Sequence, residues 1–164
     1  MSARSLFGLS VVVLVAVLVW AGYALPDRVP VHFGLTGEAD RFTSRPRALA
    51  ELGLVVALLA AAFAGSAALA RRGPLALVNV PHKDYWTRPE HEAELRRRLG
   101  TDVWVLGALT MLLVAGITTH IVRVAEDADP RFGVWGWTWV AVYLAAVLGY
   151  SAFVLVARYR PERA

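Results

Sequence analysis

The chain of 164 residues has no cysteine. That excludes disulfides, iron–sulfur clusters, thiolate zinc sites and cysteine nucleophiles, although it does not fix the redox compartment. Charge is scarce as well: 18% of the residues are Asp, Glu, Lys or Arg, against about 25% in soluble domains. No Walker loop, GxSxG elbow, HExxH or GxGxxG occurs in a usable context, so the sequence offers none of the chemistry those motifs carry. Neither a soluble domain nor an internal repeat is visible.

What fills the chain is apolar: 57% of residues are hydrophobic, well above the soluble range of about 45–50%. They are gathered into runs. A span needs about 20 mostly apolar residues to cross about 30 Å of hydrocarbon, and four segments qualify, at residues 6–25, 48–70, 103–122 and 134–157. The reading is an all-α integral membrane protein, a single four-span domain over 1–164, with an external loop at 26–47 and a cytoplasmic loop at 71–102. A cleaved signal peptide is the rival for the first run, but such signals carry only about 7–15 apolar residues. Trp20, Tyr23, Trp104, Trp135, Trp137, Trp139 and Tyr159 fall near the span ends, where amphipathic rings prefer the headgroup level.

The net charge of +4 reads as orientation and contact with anionic lipid rather than as nucleic-acid binding. Arg4, the loop from Arg71 to Arg98 and the tail residues Arg158, Arg160 and Arg163 put eleven Lys and Arg on one side. Arg28, Arg41, Arg45, Arg47, Arg123 and Arg131 put six on the other. The positive-inside rule then places both termini and the middle loop in the cytoplasm, as in a multi-pass membrane protein.

Two loops carry information. In the external one, Val29, Val31 and Phe33 alternate with Pro30 and His32, an extended segment of period two. Gly37 suits the positive φ of a turn, Ser44 suits an N-cap, and Pro46 suits the first turn of the next helix. The expectation is a compact, β-like cap on the span ends, with Asp40 beside the second helix and paired with Arg28 or Arg45. In the cytoplasmic loop, Thr87-x-x-Glu90 reads as a capping box. It opens a helix from about Arg88 to Leu99 that stops near Gly100. Tyr85 and Trp86 anchor it at the headgroups, and Arg96, Arg97 and Arg98 face anionic lipid.

The run "LPDRVPVHFGLTGEADRFTSR" resembles the short bacterial membrane domain of unknown function found at the start of SdpI-type bacteriocin-immunity proteins. It shares a Leu-Pro, a Pro-x-His-aromatic and a Gly shortly before an Asp. Gly34 stands where that family usually has Asn. "NVPHKDYW" is similar to an Asn-x-Pro-Asn-Lys-Asp-Tyr-Trp stretch of its longer members, with His82 for the second Asn. The resemblance implies a multi-span membrane protein and supplies no chemistry.

Metal binding is the one site chemistry to weigh. His32 and His120 lie on the external side with Asp27, Glu38, Asp40, Glu126, Asp127 and Asp129, but their spacing matches no ligand pattern. No metal and no cofactor is therefore assigned. Glu51, at the mouth of the second span, reads as structural, as do His82 and His91. The leading function is a non-catalytic protein that binds a membrane-protein partner or peptide ligand through His32, Asp40, Gly37 and Pro30, in immunity or sensing. The alternatives are a small transporter or accessory subunit, for which the spans offer little beyond Thr110, Thr118, Thr119 and Ser151, and a metal-dependent enzyme using His32 and the external acids. Substitution of His32 or Asp40 is expected to impair activity, and that of Asp40 also to lower stability.

Overall fold

A computed structural model describes residues 1–161; Arg163, counted above in the charge balance, lies outside them. Four helices are long and apolar enough to cross a membrane. Helix α1 spans Ala3–Ala24, α2 spans Arg45–Arg72 and α4 spans Pro89–Val124. Helix α5 spans Gly133–Phe153 and continues as one π-helical turn, Val154–Arg158. Between α1 and α2 lies a two-stranded antiparallel hairpin, β1 at Arg28–Phe33 and β2 at Ala39–Ser44. Between α2 and α4 lie a turn of 3-10 helix at Leu75–Leu77 and the four-residue helix α3, Lys83–Trp86.

Helix α4 is the hub and packs against α1, α2 and α5. Its buried residues Gly107, Ala108, Met111, Ala115, Thr118 and Val122 recur at three- and four-residue spacing along one stripe. Phe7, Leu14 and Val56 meet Ala108, Met111 and Ala115 in the main core. The small residues permit close approach: a Cβ on Gly107 would stand 2.9 Å from the Phe7 ring, and one on Gly116 only 2.4 Å from Trp139. Trp104 packs 4.9 Å from the Phe7 ring, half-buried against the main core.

The predicted cytoplasmic helix is present, but it does not stop at Gly100. Its axis runs unbroken into the third span as 36 residues, about 54 Å at 1.5 Å per residue, so its first turns project past about 30 Å of hydrocarbon. An interior glycine costs only about 1 kcal/mol relative to alanine. Burial of the α4 stripe outweighs that cost, and no proline follows to force a break. The capping box does not form either. Arg88 occupies the N-cap position without a side-chain cap bond, and the Thr87 hydroxyl donates to the Lys83 carbonyl at 2.9 Å. Ser44 does occupy the N-cap position of α2, with Pro46 in the first turn, again with no bond from its hydroxyl.

His82 stands at φ +55, in the left-handed region. Asn and His are among the residues that tolerate that conformation best.

Candidate functional site

The hairpin is docked on the bundle end where α1 stops and α2 begins. Its pairing is irregular: Pro30 faces Phe42, His32 faces Arg41 and Phe33 faces Ala39, so Val31 and Asp40 stand outside the register. The strict alternation expected of β1 is broken. Val29 and Pro30 are both buried, although the period-two pattern put them on opposite faces. Val29 joins Ala21, Leu25, Ala48, Val122 and Ala125 in a second apolar cluster. Phe33 leaves that cluster and stacks 5.5 Å from Phe132, at the start of α5.

Polar ties hold the cap in place, among them the Ala39 amide donating to the Pro130 carbonyl at 3.1 Å. Arg45 donates to the Leu25 carbonyl at 3.0 Å and pairs with Asp27 at 3.2 Å. Gly37, at φ +83, accepts the Phe132 amide at 2.8 Å, a turn that a side chain would strain. Arg131 reaches Glu38 at 3.0 Å and Asp129 at 2.8 Å. The adjacent Asp129 carboxylate, and then Glu38, raise the Arg131 guanidinium above its usual range.

His32 and Asp40 do meet: Nδ1 and Oδ1 are 2.6 Å apart. Asp40 pairs with neither Arg28, whose guanidinium lies 4.2 Å over the Phe42 ring, nor Arg45, which takes Asp27. Both partners of the pair are more than half exposed. Exposed pairs contribute about 0–1 kcal/mol, which removes the reason to expect that Asp40 stabilises the fold. His32→Ala and Asp40→Ala should each shift the unfolding free energy by less than about 1 kcal/mol in detergent denaturation. A larger loss would mean that the pair holds the hairpin shut.

His120 is buried with its ring 5.5 Å from Phe132, and its Nε2 has no hydrogen-bond partner among the described residues. Among the described residues, no three His, Asp or Glu side chains gather in a way that would hold a metal ion.

Between the cap and the helices is an apolar cavity of about 200 Å³. Val29, Pro30 and Val31 form its hairpin wall, with Leu49, Leu52 and Ile121 among the helix residues opposite. Glu51 and Thr118 are its polar members, Glu51 being tied to Arg47 at 2.8 Å. Of the residues proposed from sequence, Pro30 lines this cavity, Gly37 anchors the hairpin, and the His32–Asp40 pair stands on the exposed face.

The opposite end holds a cluster that the sequence reading missed. Asp102, 8% exposed, accepts the Tyr150 hydroxyl at 2.6 Å and the Tyr159 hydroxyl at 2.7 Å. The Arg158 Nε lies 2.5 Å from the same carboxylate. Tyr159 and Trp86, expected at the headgroups, are instead core residues packed with Leu95, and Trp86 Nε1 donates to the Tyr159 carbonyl at 2.8 Å. The three arginines divide. Arg96 turns inward to the Ala70 and Gly73 carbonyls at the end of α2. Arg98 lies 4.6 Å over Trp86, and only Arg97 stays largely exposed. Hydrogen bonds from Arg97 and Arg98 hold the Glu94 carboxyl down at about 2.

Residues 9–56 match the family described as a domain of unknown function (DUF1648). The match takes in most of α1, the whole hairpin and the first part of α2, the same stretch that carried the resemblance read from the sequence. No curated protein and no solved structure matches the chain.

Proposed function

We propose that this protein is a non-catalytic, multi-span membrane protein of the SdpI-like type, which binds a partner or peptide ligand at its hairpin and serves immunity or sensing. The observation that supports the reading is the apolar cavity beneath a cap tied down by polar contacts. At about 200 Å³ it is smaller than the usual 300–1,000 Å³ of small-molecule pockets and suits one or two apolar side chains of a bound segment. The exposed His32–Asp40 pair beside it would supply the polar contact. In this proposal the protein sits in a bacterial plasma membrane, with the hairpin outside and both termini in the cytoplasm.

The transporter reading has less support. Thr110, Thr118 and Thr119 direct their hydroxyls to carbonyls of their own helix, and of the three only Thr110 also meets a hydroxyl of another span among the described residues, that of Tyr143 at 3.3 Å. An enzyme using His32 would need a third group beside the pair, and among the described residues Asp40 is its one polar side-chain contact.

The test is a pull-down of the full chain from native membranes in mild detergent, with the retained species identified by mass spectrometry. Leu52→Trp, which fills the cavity, and His32→Ala should lose what the wild type retains. Arg123→Ala, in the last turn of α4, and Asp127→Ala, in the loop that follows it, should keep it. Equal retention by all four variants would sink the proposal.

A further inference from the structure

At the end of the molecule away from the hairpin, α4 and the last turns of the chain frame an open cleft of about 380 Å³. Arg97, Arg98, Arg158, Thr101 and Phe153 are among its lining residues. Two of the three guanidiniums are fixed by the fold. Arg98, 23% exposed, is held by Glu94 at 2.6 Å, by the Arg158 carbonyl and by the Trp86 ring. Arg158, 20% exposed, is held by Asp102. Arg97, 72% exposed, is paired in two-point fashion with Glu94, which also lines the cleft, and has no other side-chain partner among the described residues. Two carboxylates, Glu94 and Asp102, thus serve three guanidiniums, and the cleft keeps one positive charge in excess.

The other wall is apolar. Phe153, 46% exposed, and Ala157 stand on the last turns of the final span. Arg97 and Arg98 precede by a few residues the apolar run that begins at Val103, and Arg158 closes the last span, so the cleft lies where the spans meet the headgroups. Thr101 donates its hydroxyl to the Arg97 carbonyl at 2.9 Å. Its remaining lone pairs can only accept, which suits a hydroxyl-bearing headgroup.

We propose that this cleft binds the headgroup of an anionic phospholipid. Arg97 and Arg158 take its phosphate, Thr101 accepts from a glycerol hydroxyl, and the acyl chain lies along Phe153 and Ala157. One excess positive charge matches the single negative charge of a phosphodiester, and forked guanidiniums are the side chains that bind phosphate in two-point fashion. Basic pockets at the ends of membrane helices recognise anionic lipids by this chemistry.

The test uses the purified full-length protein in detergent micelles, titrated separately with phosphatidylglycerol and phosphatidylcholine, with bound lipid counted by native mass spectrometry. The wild type should retain phosphatidylglycerol in preference to phosphatidylcholine. Arg97→Gln should lower that retention about fivefold with its melting temperature unchanged, since the side chain is exposed. Arg72→Gln, which removes an exposed arginine outside the cleft, should retain lipid as the wild type does. Arg158→Lys keeps the charge but loses the fork, and should fall between wild type and Arg97→Gln. Equal retention of the two lipids, a wild-type result for Arg97→Gln, or an equal loss in Arg72→Gln would overturn the proposal. Displacement of the lipid by millimolar inorganic phosphate would make the cleft a site for a soluble anion and would overturn it too.

Discussion

Replacing Asp102 with alanine is expected to destabilise the protein by about 3–5 kcal/mol, the usual cost of removing one partner of a buried ion pair. The carboxylate is 8% exposed and meets two tyrosine hydroxyls and a guanidinium that is itself only 20% exposed. Without it, Arg158 keeps its charge in a largely enclosed position, and both hydroxyls lose their acceptor. Asp102→Asn should cost less, since an amide oxygen still accepts one hydroxyl. The double change Asp102→Leu with Arg158→Met removes both charges and should recover most of the loss, because an apolar pair of similar volume is often as stable as a buried ion pair. Unfolding by graded denaturing detergent would measure all three. Wild-type stability for Asp102→Ala would mean that the cluster does not hold α5 and the tail to α4.

The spans were legible because lipid demands long apolar runs, and nothing else in the chain imitates them. The hairpin was legible as a shaped cap through Gly37 and the alternation of Val29 and Val31. Its register was not, since two unpaired residues, Val31 and Asp40, shift which side chains face inward. The Asp102 cluster left no local signal. In sequence Asp102 is one acid at the end of a charged loop, and its partners lie 48 and 57 positions later. What could have found it is geometry: antiparallel third and fourth spans bring the first turn of one beside the last turns of the other, where Tyr150, Arg158 and Tyr159 stand. The same reasoning explains Arg96 and Arg98. A basic run reads as solvated until the carbonyls at the end of α2 and the Trp86 ring are placed beside it.

Val29→Asp should undock the hairpin. Val29 is 2% exposed within the cluster formed by Ala21, Leu25, Ala48, Val122 and Ala125. Losing its burial forfeits about 1.5–3 kcal/mol, and placing a carboxyl there with no partner adds about 1–3 kcal/mol. The docked state should therefore lose about 2.5–6 kcal/mol, enough to swing the cap away, while the helices, whose main core lies around Leu14 and Met111, stay folded. Because the chain has no cysteine, a single cysteine can report this without background. At Val31, half-buried against the cavity, its labelling should be slow in the wild type and fast alongside Val29→Asp. At Leu35, fully exposed at the hairpin tip, it should be fast in both. Helical circular dichroism should stay constant across the set, which separates undocking from unfolding. If labelling at Val31 stays slow in the variant, the hairpin is held by the Arg45, Gly37 and Arg131 ties rather than by apolar burial. If labelling becomes fast and ligand retention nevertheless survives, the cavity beneath the cap is not where the ligand binds.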